Sequence, residues 1–111
     1  MLVARSSPFG GKTRTRVLLA LCLLSESYPR ELARLLDVPL NGVQQALKGL
    51  ELDGIVAGRL AGRTRLFRLN PRYFAVRDLR RYLKRLVQPE DELRRRIEGL
   101  RRRPRRTGKR L

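Results

Sequence analysis

The sequence predicts a mainly α-helical domain that carries one small β-hairpin, an α+β fold. Apolar residues recur at spacings of three and four in several segments, as on one face of a helix. Residues 55–69 are suited to two short strands around a turn, and proline or glycine stands at most segment boundaries. A chain of 111 residues has room for one domain with a modest core.

The first predicted helix covers residues 12–25. Its residues 17–24 are apolar nearly all round the helix, so we expect it to be buried on more than one side. In so small a domain, a partner subunit or a C-terminal helix must then cover one side. Residues 1–11, which contain Ser6-Ser7-Pro8 and Gly10-Gly11, are predicted to form a flexible arm.

Two helices and a hairpin follow in close succession. The shorter helix begins at Pro29, where the missing N–H costs nothing, and residues 37–39 end it. The longer helix spans residues 40–53, and Gly54 ends it as a C-terminal glycine. Its predicted buried face consists of Val43, Ala46, Leu47 and Leu50. The hairpin is predicted to have strands at 55–60 and 65–69 and a turn at 61–64.

Two further helices are predicted toward the C-terminus. The helix at residues 74–87 carries an apolar stripe that can be core or, in the interpretation we prefer, part of a dimer seam: Val76, Leu79, Leu83 and Leu86. A charged amphipathic helix is predicted at residues 88–103, since acids begin it and arginines end it, which complements the helix dipole. Residues 104–111 are predicted to be a basic disordered tail, either a tether or a solubilising segment.

At this point the chain resembles a known family. Residues 28–33 (YPRELA), 43–47 (VQQAL), 50–56 (LELDGIV) and 62–71 (GRTRLFRLNP) are similar to the winged helix-turn-helix of ArsR-like transcriptional regulators. Residues 8–14 (PFGGKTR) are similar to the lead-in of a branch that is often fused to nucleotidyltransferase domains. The resemblance implies a winged helix-turn-helix domain over residues 12–87.

The charge of the chain indicates a polyanionic partner. There are 27 Lys and Arg against 10 Asp and Glu, a net charge of +17, which is typical of nucleic-acid-binding proteins. On the helix at 40–53, the face opposite the apolar stripe holds four candidate base contacts, because amides bond adenine edges and lysine bonds guanine or phosphate. These residues are Asn41, Gln44, Gln45 and Lys48.

Arginines are the candidates for contacts to the DNA backbone or the minor groove. A basic hairpin tip beside a groove can insert a cation into a narrow minor groove or pair with phosphates. The hairpin offers Arg59, Arg63, Arg65 and Arg68, and the helices add Arg14, Arg16 and Arg30.

The residue types argue against an enzyme, a metal site or a cofactor. The chain has no histidine, which removes the usual base of a nucleophile pair and the commonest zinc ligand. The single cysteine, Cys22, excludes an internal disulfide and is expected to pack as a small hydrophobe. We expect a cytoplasmic protein without a membrane partner, because residues 1–11 lack an apolar signal region and residues 17–24 are too short to span a bilayer.

The sequence therefore predicts a sequence-specific regulator of transcription that binds double-stranded DNA as a homodimer. Residues 40–53 would enter the major groove, and the wing, residues 59–68, would lie on the flanking groove or backbone; a two-fold dimer would place two such helices roughly 34 Å apart. One alternative is a nucleoid-type architectural protein with little sequence preference. Another is an antitoxin-like interaction partner of a nucleotidyltransferase. No residue pattern indicates a small-molecule effector.

Overall fold

The computed structural model describes residues 10–102 and confirms the predicted class, five helices and one antiparallel hairpin. The elements in chain order are α1 (Lys12–Leu24), α2 (Pro29–Leu36), α3 (Leu40–Leu52), β1 (Val56–Ala61), β2 (Thr64–Leu69), α4 (Val76–Val87) and α5 (Asp91–Arg102). Most of the predicted arm at 1–11 and all of the predicted tail at 104–111 lie outside the described residues.

Helix α1 lies at the centre of the core. Residues 17–21 are each at most 1% exposed, because α2, α3, α4, α5 and β2 all pack against this helix. Elements of the same chain therefore cover the apolar residues on all sides of α1. Cys22 lies at the α1–α4 contact, its Sγ 4.0 Å from the Arg80 carbonyl, and burial raises the pKa of its thiol.

Helix α3 ends in a hydrogen-bonded cap that turns the chain directly into β1. Gly54 has φ of 77°, which glycine adopts without strain. The Ile55 N–H donates to the Leu50 carbonyl at 3.0 Å, and the Gly54 N–H donates to the Glu51 carbonyl at 3.0 Å. This is the Schellman arrangement. The Asn70 side chain also donates to the Gly54 carbonyl at 2.9 Å, so the end of β2 is fastened to the end of α3.

The hairpin has a longer second strand and a shorter turn than predicted. Ala61 pairs with Thr64, so both residues belong to the strands and only Gly62-Arg63 remains in the turn. Gly62 has φ of 66°, as two-residue hairpin turns require at their first position. The first strand is thus shifted from the predicted 55–60 to 56–61, and the second begins one residue before the predicted 65–69 and ends where predicted.

A single-residue bridge extends the sheet on the far side of β2. The Ser27 N–H donates to the Phe67 carbonyl at 3.0 Å, and the Phe67 N–H donates to the Ser27 carbonyl at 2.7 Å. Ser27 is fully buried, and its hydroxyl donates to Glu31 Oε1 at 2.6 Å. The base of the hairpin is therefore bound to the first turn of α2.

The apolar stripe of α4 faces the core of its own chain. Leu79 is 7% exposed and Leu83 is 0% exposed, so these two members of the predicted dimer seam are largely covered by their own chain, and the seam stays a prediction. Val76 and Leu86 are half-buried and pack at the edge of the same core. No helix within residues 10–102 combines the length and the apolarity needed to cross a bilayer.

Helix α5 is docked on α2. Leu93 and Ile97 are buried, at 0% and 3% exposure. The Arg96 guanidinium donates to the Leu35 carbonyl at 2.7 Å and to Glu92 at 2.7 Å. One backbone carbonyl in the last turn of α2, which has no partner within that helix, therefore accepts a hydrogen bond from α5.

Candidate nucleic-acid interface

The outer face of α3 is a polar surface open to solvent. Val43, Leu47 and Leu50 are at most 1% exposed and fix the inner face of this helix against the core. The opposite face, by the helical repeat, carries the four predicted base contacts. All four are exposed: Asn41, Gln44, Gln45 and Lys48.

A groove separates this face from the hairpin. Its lining combines residues of α2, α3 and β2: Pro29, Gln44, Leu47, Lys48, Glu51, Leu52, Arg65 and Phe67. Leu52, at the end of α3, is 81% exposed. Two of the predicted base contacts therefore form one wall of a channel whose other wall is the hairpin.

The register of the hairpin divides its arginines between two faces. Gly58 is opposite Phe67 and Leu60 is opposite Arg65, so these residues share the face toward α3. Arg59 and Arg68 lie on the other face, and Arg63 lies in the turn. The four hairpin arginines that were predicted to contact DNA thus point in three directions.

Three of the predicted DNA-contacting arginines form ion pairs inside the chain. Arg65 Nη2 lies 2.8 Å from Glu51 Oε2 on α3. Arg59 donates twice to Glu26, at 3.0 and 3.1 Å.

Arg14 follows the same pattern and joins α1 to the end of α3. Its Nη2 lies 3.1 Å from Asp53 Oδ2, and its guanidinium lies so close to Gly49 that a Cβ there would collide with it. The partner acids stand 14, 33 and 39 residues away from their arginines, and no local pattern in the sequence marks these acids as part of the site.

The other predicted cations have different surroundings. Arg30, Arg63 and Arg68 are exposed and, like Lys48, form no ion pair with another residue in the described part of the chain. Arg16 is half-buried in α1. The exposed cations accordingly lie at the start of α2, on α3 and at the turn and far face of the hairpin.

Three solved structures illustrate the likeness of this fold to known proteins. The adhesin competence repressor of Streptococcus pyogenes is 21% identical, with a TM-score of 0.52 over 82% of this chain and 77% of that one. A MarR-family transcriptional regulator from Silicibacter pomeroyi is 23% identical, with a TM-score of 0.52 over 83% of this chain and 58% of that one. A variant of ZitR from Lactococcus lactis is 16% identical, with a TM-score of 0.58 over 90% of this chain and 69% of that one.

These likenesses establish the winged helix-turn-helix fold, with α3 in the place of the second helix of the motif and the hairpin as its wing. One of the three structures is described as MarR-family and none as ArsR-like, so the ArsR-like resemblance stays a prediction. No protein-family profile matches the chain, and no curated protein matches it.

Proposed function

We propose that this protein is a transcriptional regulator that binds double-stranded DNA, with α3 in the major groove and the wing beside it. One observation carries the proposal: with its apolar face buried, α3 presents four polar side chains outward, next to a hairpin whose turn holds an exposed arginine. The net charge of +17 supports a polyanionic partner.

Base reading is assigned to α3. Asn41, Gln44 and Gln45 carry amides, which can donate to and accept from an adenine edge together, and Lys48 can donate to guanine. Phosphate contacts are assigned first to the exposed cations Arg30, Arg63 and Arg68. These contacts would fix the register of α3 on the duplex without reading sequence.

Selection of bound duplexes from a random pool, repeated at two salt concentrations, tests this proposal. We expect one enriched sequence, and an affinity whose logarithm falls with the logarithm of salt by about 0.9 per neutralised phosphate. A pool that stays random after repeated rounds would contradict sequence reading, and absence of binding would contradict the proposal as a whole.

We also propose that two copies bind one operator. A two-fold pair would place the two α3 helices roughly 34 Å apart, one turn of DNA. With Leu79 and Leu83 buried, the seam would have to use the half-buried Val76 and Leu86. Analytical ultracentrifugation of the protein alone and with the selected duplex measures this; a 1:1 complex on a palindromic duplex would contradict it.

A nucleoid-type architectural role is the second candidate, and the charge of the chain favours it. An excess of cations this large gives phosphate contacts that do not depend on sequence. The ratio of affinities for the selected and a random duplex separates the two roles. Specific proteins typically reach a ratio of about 10³ or more, whereas an architectural protein would bind both duplexes nearly equally.

A further inference from the structure

We propose that Arg65 is a positioning residue: its bridge to Glu51 fixes the wing against α3, and discrimination between base sequences depends on that bridge. The inference rests on the proposed function. It gives Arg65 the role of holding the wing in place beside α3 and removes this residue from the predicted phosphate contacts.

Two contacts hold the Arg65 side chain over the groove. Its Nη2 lies 2.8 Å from Glu51 Oε2, across the gap between β2 and α3. Its guanidinium carbon lies 4.9 Å from the centroid of the Phe67 ring, a cation–π distance. Phe67 is itself 5% exposed and bound to Ser27, so the guanidinium rests on a fixed support.

Gly58 provides the space for this arrangement. A Cβ at position 58 would lie 2.5 Å from Arg65 Nη2 and 2.9 Å from Phe67 Cε2. Gly58 is not among the glycines with positive φ, so backbone conformation does not require glycine here. The close approach of the Arg65 side chain does require it, because any larger residue would push the guanidinium or the ring aside.

Glu51 makes a phosphate contact by Arg65 unfavourable. By the helical repeat, Glu51 lies on the same side of α3 as Gln44 and Lys48. If Arg65 turned away to a phosphate, the Glu51 carboxylate would be left facing the negatively charged duplex. While the bridge is closed, the two charges cancel where the wing and α3 stand closest to the DNA.

The bridge contributes geometry more than stability. Its side chains are 47% and 36% exposed, and ion pairs this open to solvent add little to the stability of a fold. The wing is otherwise fastened to α3 at its base, where Asn70 bonds Gly54. Arg65 adds a second attachment farther along the hairpin. Two separated attachments fix the angle between the wing and α3, whereas a single attachment leaves that angle free.

Paired titrations of the duplex enriched by selection and a random duplex of equal length, over a range of salt, test the inference. For Arg65→Gln we expect the affinity ratio of the two duplexes to fall by about tenfold, within the range of one base contact, with an unchanged salt slope. Glu51→Gln should lower the ratio similarly, and the charge swap Glu51→Arg with Arg65→Glu should restore most of it.

Arg63→Gln is the matched control, because Arg63 lies in the same hairpin and has no ion pair to a described residue. It should reduce the salt slope by about 0.9 and leave the ratio unchanged. Melting temperatures measured by circular dichroism should stay close to that of the unmodified protein for every variant. A fall in the affinity ratio of the two duplexes then reports a loss of recognition and not of folding.

Besides unchanged discrimination by Arg65→Gln, two results would overturn the inference. One is a reduced salt slope for Arg65→Gln like that of Arg63→Gln, which would make Arg65 a phosphate contact. The other is tighter binding of both duplexes by Glu51→Gln, since release of Arg65 would then add a contact. If the unmodified protein binds neither duplex, the proposed function fails with it; if it discriminates and Arg65→Gln discriminates equally, only this inference fails.

Discussion

The tip and the base of the hairpin differ sharply although they belong to the same two strands. At the tip, residues 60–64, Leu60 is 69% exposed and Arg63 has no ion pair to a described residue. At the base, Val56, Phe67 and Leu69 are at most 5% exposed and belong to the main core. Arg59 and Arg65 lie between the two and are both tied to acids of neighbouring elements.

This difference shows that residue type alone does not assign a role to a wing arginine. The side chains of Arg59, Arg63 and Arg65 are chemically identical, yet an acid lies within reach of two of them only. Distance from the core decides which arginines have an acid in reach. Nearer the base, α3 and the segment between α1 and α2 bring acids close, whereas the tip projects beyond them. The exposed tip is therefore free to contact a partner, while the base orients it.

The largest effect is expected when the packing at the base of the hairpin is removed. Phe67→Ala should reduce the free energy of unfolding by about 3–5 kcal/mol, because it removes a buried ring and leaves a cavity beside Gly58. Leu60→Ala, on the same face at the tip, should change it by no more than about 0.5 kcal/mol. Urea unfolding followed by circular dichroism measures both; equal losses would erase the distinction between tip and base.

Removal of a base-reading amide should have the next largest effect. Gln44→Ala and Gln45→Ala should each weaken binding to the selected duplex by about 1–3 kcal/mol for a true bidentate contact and leave binding to random duplex nearly unchanged. Fluorescence anisotropy titrations on both duplexes test this. If Gln44→Ala, Gln45→Ala and Arg63→Ala all weaken binding to every duplex equally, α3 does not read bases.

Arg63→Ala should have a smaller and sequence-independent effect. Loss of one phosphate or minor-groove contact at the tip should weaken binding to all duplexes and reduce the salt slope by about 0.9. The slope of affinity against salt is the measurement. An unchanged slope would place the tip away from the duplex.

The smallest effect is expected for the exposed ion pair of Arg59 with Glu26. A double-mutant cycle with Arg59→Gln and Glu26→Gln should give a coupling energy of about 0.2–1 kcal/mol in unfolding experiments. Arg68→Gln, on the same face of the hairpin, is the control and should leave stability unchanged, because no ion pair holds it within the described residues. Coupling of several kcal/mol would show that the middle of the hairpin is a structural centre equal to its base.

Local features of the chain were predictable from the sequence. Pro29 begins α2, Gly54 ends α3 with positive φ, and Val43, Leu47 and Leu50 face the core, all as their positions indicated. Each of these depends on the backbone preference of one residue or on the spacing of apolar neighbours. Such information is contained in a few consecutive residues.

The contacts that define the site could not be predicted in the same way. The bridge between Ser27 and Phe67 joins residues 40 positions apart, and a polar serine in a loop gives no indication of a strand. The ion pairs of Arg14, Arg59 and Arg65 depend on how the helices pack, which no local pattern determines. The dimer seam stays a prediction for the same reason, since a helical stripe does not show which surface will cover it.

The bridge at Ser27 also limits how the sheet can grow. Strand β2 has β1 on one side and the Ser27 backbone on the other, so an incoming extended chain finds its middle already occupied. Within residues 10–102, the outer edge of β1 is the longest stretch of unpaired strand, and it spans only six residues. Short edges of this kind resist strand addition and the aggregation that follows from it, and on β2 the segment between α1 and α2 leaves only shorter unpaired stretches.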